Sequence, residues 1–248
     1  MKKLLLIITL TIGLFAQSAL EIAKKSYDAI SHYGSSISQT TMILKNAKGV
    51  ESIRKIEIKK LEGDDGDKSL LVFLYPNDIK GTKLLSFEQI GKDDKQWLYL
   101  PALKRVKRIS SRNKSGSFMA SEFSYEDIAS QNYKNYTYGE DLKTVMMNNA
   151  EHFKITRFPK DKNSGYSKQI LYIDTKTYLA HFGEYYDRKN RLLKEVSFLE
   201  YKKIGTVHRI QKMQMRNIQN KKVSTLIWDE DKIKLGLSKN LFSKRALK

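Results

Sequence analysis

The chain of 248 residues has no cysteine. That absence excludes a disulfide framework, thiolate metal ligands, a cysteine nucleophile and a lipid-modified N-terminal cysteine. Three prolines and 13 glycines are too few for a collagen-like or low-complexity chain. Acids are in short supply as well. Against 46 Lys+Arg stand 27 Asp+Glu, a formal charge of +19, which points to an anionic membrane surface or an acidic protein face as partner. No H-E-x-x-H, G-x-S-x-G, P-loop or G-x-G-x-x-G occurs, so zinc-protease, serine-hydrolase and nucleotide chemistry lack their motifs. His32, His152, His181 and His208 stand far apart in the chain, and each is read as an isolated surface or half-buried residue; no metal site and no cofactor are expected. Asp64, Asp65 and Asp67 around Gly66 resemble a calcium loop only loosely, because the carboxylate at the twelfth position is missing. They read as a solvated hairpin turn.

Long apolar runs are missing too. The mostly apolar stretch Leu4 to Phe15 follows Met1-Lys2-Lys3 and precedes Ala16-Gln17-Ser18-Ala19. It is shorter than the ~20 residues that cross a hydrocarbon core, and its three parts are those of a secretory signal peptide. We place the leader at residues 1–18 with cleavage after Ser18; a cut after Ala16 and an uncleaved anchor helix are the alternatives. No later apolar run reaches spanning length. The leader holds only two of the bases, so the positive charge belongs to the folded part, read as a single domain over residues 19–248. An exported chain meets no chromosome, which removes nucleic acid from the expected partners.

Leu20, Ala23, Tyr27 and Ile30 recur at helical spacing ahead of Gly34, predicting an amphipathic helix over residues 20–33. From Thr40 the period changes to two. Arg54, Ile56, Ile58 and Lys60 share one face and Ile53, Lys55, Glu57 and Lys59 the other, between a turn at Gly49 and another at Gly63-Asp64-Asp65-Gly66. Leu70 to Tyr75 is a continuous apolar run ended by Pro76, as expected of a strand covered on both faces. In the second half, extended runs near 168–173, 178–187, 191–201, 206–217 and 223–229 are joined by short polar turns, which demands antiparallel neighbours. A meander of such long strands must coil or close, because every strand twists. Along 192–200 both faces are partly apolar: Leu192, Val196 and Phe198 on one, Leu193, Leu199 and Tyr201 on the other. A concave side occupied by a helix or ligand explains that pattern, as do helices packed on both sides.

The central stretch is the most unusual. Trp97-Leu98-Tyr99-Leu100-Pro101 is an aromatic strand that runs into Lys104, Arg105, Lys107, Arg108, Arg112 and Lys114 with no intervening acid. A Gly/Ser loop follows, bearing Phe118, Met119 and Phe123, and Ser124-x-x-Asp127 then starts a short helix with Tyr125 and Ile128. Large apolar residues beside glycine and serine suit a movable flap over an apolar site; ordinary core filling is the other reading. Glu122, Glu126 and Asp127 are positioned in sequence to pair with the preceding bases.

WLYLPALKRVKRIS followed by SGSFMASEFSYEDI resembles the signature of the outer membrane lipoprotein-sorting protein family, in the LolA-like branch associated with MMPL/RND-type inner-membrane transporters. Pro76-Asn77-Asp78-Ile79-Lys80-Gly81-Thr82 and Tyr186-Asp187-Arg188-x-x-Arg191-Leu192-Leu193-Lys194 also fit it, and the likeness covers roughly residues 20–235. The resemblance implies a mainly β (α+β) fold: an incomplete, strongly curved antiparallel β-barrel with helices covering the concave face. It implies no catalysis, and a periplasmic carrier that moves a lipid or lipoprotein between an inner-membrane RND/MMPL-type transporter and the outer membrane. The basic residues 240–248 depart from the family pattern and are left without a role.

The energetics suit that function. An acyl chain of ~14 to 16 methylenes gains roughly 11 to 13 kcal/mol gross on leaving water at ~0.8 kcal/mol each, before ordering costs. Binding needs no covalent step; release needs a lid. Trp97, Leu98, Tyr99, Leu100, Phe118, Met119, Phe123, Tyr125 and Ile128 are the candidate lipid-binding and lid residues. Lys104, Arg105, Lys107, Arg108, Arg112 and Lys114 are the candidates for a headgroup or partner. A non-catalytic adaptor docking on a transporter through its basic face is the alternative, and an exported hydrolase using Glu122 or Asp127 is a third.

Overall fold

The computed structural model describes residues 17–129 and 131–247. Except for Gln17 and Ser18, the leader read over residues 1–18 lies outside the described residues. Among these, no helix is long and apolar enough to cross a membrane.

Helix α1 (Ala19–Ile30) opens on a reciprocal cap. The Ser18 hydroxyl accepts from the Glu21 amide at 3.2 Å while the Glu21 carboxylate accepts from the Ser18 amide at 2.8 Å, which satisfies two otherwise orphaned donors. The helix ends before the Gly34 stop expected from sequence, for a reason outside it. The carboxylate of Glu62 accepts from the amides of both His32 and Gly34, at 2.8 and 2.6 Å, and draws the chain into a turn in which both residues have positive φ.

Fourteen antiparallel strands follow in one sheet. They are β1 (Ser35–Lys45), β2 (Glu51–Leu61), β3 (Lys68–Tyr75), β4 (Lys83–Phe87), β5 (Lys95–Leu100), β6 (Arg105–Ile109) and β7 (Tyr136–Tyr138), then β8 (Lys143–Met147), β9 (Ala150–Pro159), β10 (Tyr166–Asp174), β11 (Ala180–Asp187), β12 (Leu192–Ile204), β13 (Val207–Asn217) and β14 (Val223–Ile233). The order is β6-β5-β4-β3-β2-β1-β14-β13-β12-β11-β10-β9-β7, with β8 also on β9. Two meanders are thus joined by one distant pairing, β1 with β14, running from Ser36↔Ile233 to Lys45↔Val223. Strands β6 and β7 end the sheet without pairing to each other, so it is an open barrel.

The sheet is strongly rolled. Leu71 on β3 and Leu171 on β10 stand seven strand spacings apart, about 33 Å on a flat sheet, yet they belong to one buried cluster and line one cavity. Twist supplies the curl, and register irregularities that put an extra residue on β3, β10, β11, β12, β13 and β14 sharpen it.

Alternation sorts the side chains. Phe73, Leu84 and Leu98 join the large inner cluster, which also holds Ala19, Ile22 and Ala23 of α1. Leu70, Leu85 and Trp97 point the other way, where Leu237, Phe242 and Leu247 cover them. The C-terminal residues whose role was open from sequence are therefore a strap on the outer face of β3 to β5. Lys244 sets its ammonium 4.8 Å above the Trp97 ring, and Lys83 donates to the Ala246 carbonyl at 3.0 Å.

Residues 110–135 connect the two end strands across the gap in the barrel. They carry α2 (Tyr125–Ile128), capped by Ser124 and Asp127 as the sequence predicts. Polar bonds tie this bridge to both sides: Gln96 of β5 donates to the Tyr125 carbonyl at 3.0 Å, and the Glu126 carboxylate accepts from Ser164 and from the Gly165 amide, each at 2.8 Å. Gly165 must be glycine here, because a Cβ would lie 2.6 Å from the Ser115 Cβ and 2.9 Å from Glu126 Oε1. Gly165→Ala is expected to cost ~1–3 kcal/mol in urea unfolding and to raise hydrogen exchange across 114–128 while leaving β12 to β14 protected; an unchanged midpoint would show that the bridge is not held there.

Candidate functional site

Inside the roll lies a cavity of about 270 Å³, near the lower bound for small-molecule sites. Its body is apolar: Met42, Ile56, Ile58, Leu71, Leu171, Ile173, Met213, Met215, Leu226 and Trp228 come from strands β1, β2, β3, β10, β13 and β14. Ala23, Tyr27 and Ile30 of α1 and Phe123 and Ile128 of the bridge complete the wall. The methionines give that wall adaptable shape.

One end is charged. Arg209 forks onto Asp231, with Nε donating to Oδ2 at 2.6 Å and Nη2 to Oδ1 at 3.3 Å, and its guanidinium lies 4.0 Å from the Tyr33 ring centroid. Arg209 lines the cavity together with Lys60, Glu62 and Asp67. Burial pushes the Lys60 ammonium below its usual range, and the Arg209 charge pushes the same way. Burial also raises the Asp67 carboxyl to about 6, with Glu88 adding to the effect and Lys60 opposing it. The Tyr33 phenol is driven upward by burial. Lys60 faces the cavity, and the charges of Asp67, Asp231 and Glu88 act on it against the effect of burial.

A second polar network fastens the bridge from below. Lys194 donates to the Tyr166 hydroxyl at 2.9 Å and to Asp127 Oδ2 at 3.2 Å, and the Tyr166 hydroxyl donates to the same carboxylate at 2.9 Å. Burial lifts the Tyr166 phenol well above its usual value, and the Asp127 charge adds to it. Glu122 accepts from Asn217 and Asn220 at 2.8 and 3.2 Å. Glu122, Glu126 and Asp127 therefore anchor the bridge to β10, β12, β13 and the loops beside them, instead of pairing with the preceding basic run.

The residues singled out in sequence divide among three places. Phe118 and Phe123 are wholly buried in the inner cluster, with the Phe118 ring 5.7 Å from Phe73 and 5.5 Å from Tyr125. Met119, Tyr125, Ile128 and Leu100 pack partly buried against the same cluster, and Leu98 is inside it; of the nine, Phe123 and Ile128 line the cavity. Arg54 donates to the Met119 carbonyl. Trp97 and Tyr99 lie on the outer face under the C-terminal strap. Arg105, Lys107 and Arg108 stand exposed on end strand β6, with Lys104 before it and Arg112 after it also exposed. Lys114 alone of the six is committed, to Asp161, in a separate polar cleft with Asp93, Asp94 and Glu126.

Lys60 and Arg209 were not singled out, although the signal was present. Lys60 continues the face of Ile56 and Ile58, and Arg209 has the parity of Met213 and Met215; a cation prolonging an apolar stripe is the mark of a charged cavity end. The expectation of four isolated histidines also fails, since His152 and His181 hydrogen-bond at 2.8 Å.

Comparison with known proteins agrees with this architecture. A protein-family model described as "Uncharacterized protein" matches residues 65–248. A domain from Vibrio parahaemolyticus described as an outer membrane lipoprotein-sorting protein is 43% identical, with 92% of this chain and 97% of that one aligned at a TM-score of 0.88. A DUF1329 family protein from Desulfovibrio piger is 29% identical over 92% of this chain and 97% of that one, TM-score 0.87. A LolA superfamily protein from Nitrosomonas europaea shares the fold at 18% identity, TM-score 0.77, over 93% and 100% of the two chains. None of the curated proteins compared matches the sequence. With the rolled open sheet, the apolar cavity and a 43% identical relative aligned over almost its whole length, the chain belongs to the outer membrane lipoprotein-sorting protein family and shares the fold of the LolA superfamily protein.

Proposed function

We propose that this chain is a periplasmic carrier, exported by the segment read as a leader, that takes acyl chains of a lipid or lipoprotein into the cavity and passes them between an inner-membrane RND/MMPL-type transporter and the outer membrane. The cavity carries this reading: an apolar wall assembled from both meanders and closed by α1 and the bridge, with Lys60 and Arg209 at one end for an anionic headgroup. The helix and the bridge cover the concave side and give way to cargo, with Phe123 and Ile128 touching it. The work is binding and release, with no bond made or broken. The relatives named for lipoprotein sorting and for the LolA superfamily support the same assignment. The exposed cations on β6 serve as the docking surface for a membrane or transporter, and as charges on an end strand they also discourage edge-to-edge pairing.

Native mass spectrometry of protein purified from its own periplasm is expected to show a co-purifying lipid, and Met213→Trp, which fills the cavity, is expected to lose it and to weaken binding of a fluorescent fatty acid at least tenfold with Tm within a few degrees. A consistently empty wild-type protein would favour the adaptor reading instead.

Asp67 sets a pH dependence. Its folded value of about 6 stands above the usual 3.8, so the folded chain favours its protonated form. The associated stability is complete below the usual value and lost as pH rises through about 6. In binding, protonation removes a negative charge beside Lys60, and affinity for an anionic amphiphile should rise between pH 7.5 and 5.5; Asp67→Asn should flatten that slope. A slope that persists in the variant assigns it elsewhere.

Reversing Arg105, Lys107 and Arg108 to Glu should weaken sedimentation with anionic vesicles, and the difference from wild type should shrink as salt is added. Equal binding at low salt would remove β6 from the docking surface.

A further inference from the structure

His152, Asp174 and His181 meet on three adjacent strands. The register places His152 of β9 opposite Asp174 of β10. In the next ladder Tyr172 pairs with Phe182 and Ile173 with Ala180, so His181 is the extra residue of an irregularity on β11 and turns toward the other two. One ligand atom from each side chain lies within 4.8 Å of the others. We propose that these three residues form a binding site for one divalent transition-metal ion of the zinc class.

The local hydrogen bonds prepare each donor. His152 is buried, and its Nδ1 lies 3.0 Å from the Ala150 carbonyl. A carbonyl only accepts, so Nδ1 carries the hydrogen and Nε2 presents its lone pair; such an outer-shell bond orients metal-binding imidazoles. That Nε2 is 2.8 Å from His181 Nδ1, so in the metal-free chain the hydrogen between them belongs to His181. A metal ion takes its place and the hydrogen moves to His181 Nε2. Asp174 accepts from the Lys176 amide, the Thr177 amide and the Thr177 hydroxyl, all on Oδ1 at 3.0, 2.7 and 2.8 Å. The turn thus fixes the carboxylate, while Oδ2 accepts no hydrogen bond among the described residues.

Two imidazoles and a carboxylate suit zinc, cobalt(II) or nickel(II) and not calcium or magnesium, which take oxygen donors. Zinc at ~2.0–2.1 Å from each donor sets them about 3.3 Å apart, so the imidazoles spread slightly and the carboxylate closes in, leaving a fourth position for water. The ion would clamp β9, β10 and β11 beside the turn that carries Tyr178, whose amide donates to the Asp174 carbonyl at 3.0 Å, whose ring stacks on Phe153 at 6.0 Å and whose hydroxyl accepts from Lys25 of α1 at 3.3 Å. It therefore stiffens the anchor of the helix that walls the cavity.

The test uses tag-free full chain freed of metal by a chelator. Cobalt(II) titration is expected to give one equivalent with visible bands of a low-coordinate nitrogen and oxygen site, and zinc to displace it and raise Tm. His181→Ala, at a half-buried position, and Asp174→Asn, which retains the Oδ1 turn bonds, should each weaken uptake at least ~100-fold, beyond the loss usual for an outer-shell partner. His32→Ala, at the separate pair of His32 with Asp28, should change nothing. No stoichiometric uptake by the wild type, or uptake unaltered in both site variants, would leave an ordinary histidine–histidine hydrogen bond and overturn the site.

Discussion

The pairing of β1 with β14 is the constraint on which the architecture rests. Most other ladders join strands that follow one another closely in the chain, and a local meander can form its turns alone. The β1–β14 ladder brings residue 36 to residue 233 and makes one continuous sheet of two meanders. Once that sheet exists, its twist must roll it, and the roll creates an interior that strands alone do not fill. The helix, the bridge and the cavity are answers to that interior. Without the central ladder there would be two smaller sheets, each with an apolar face open to water.

The interior then separates into regions by the cost of burying charge. Where both partners are present, as in Lys194 with Asp127 and Tyr166, charge fastens the bridge across the gap. Breaking such a pair by removing one member leaves an uncompensated buried charge. At the cavity end, Arg209 is satisfied by Asp231, whereas Lys60 and Asp67 are pushed toward their neutral forms. A polar end that is not fully compensated, beside a wall of methionine and aliphatic side chains, is the chemistry that the proposed cargo, a molecule with a charged head and an apolar tail, requires.

Much of the fold was legible because its signals are local. The helix phase of Ala23, Tyr27 and Ile30, the two-residue alternation through Ile56 and Ile58, and the polar turns after Asp174, Asp187 and Asn217 each placed an element within a few residues. Strands β7, β8 and β9 were not read: Tyr136–Tyr138 is too short for a period, and the β8–β9 hairpin turns on Asn148 and Asn149, both at positive φ, without glycine or proline. The strap was unreadable for another reason, since nothing local says that Phe242 and Leu247 will meet Trp97. The site divides in the same way. Phe123 and Ile128 were found from composition, but Trp97 and Tyr99 share a strand with Leu98 and Leu100 and face the opposite side, so the aromatic run as a unit could not belong to one site. The polar end and the histidine pair depend on long-range register, which sequence alone leaves open.

The C-terminal strap has a consequence for how the molecule comes to be. Leu70, Leu85 and Trp97 receive their cover from Leu237, Phe242 and Leu247, and β1 receives its second neighbour only from β14. During synthesis the first hairpins therefore appear with one ladder unpaired and one greasy surface bare, and both defects persist until β14 and the strap through Leu247 have been made. High sequence separation slows assembly, and the waiting edge is a target for wrong partners.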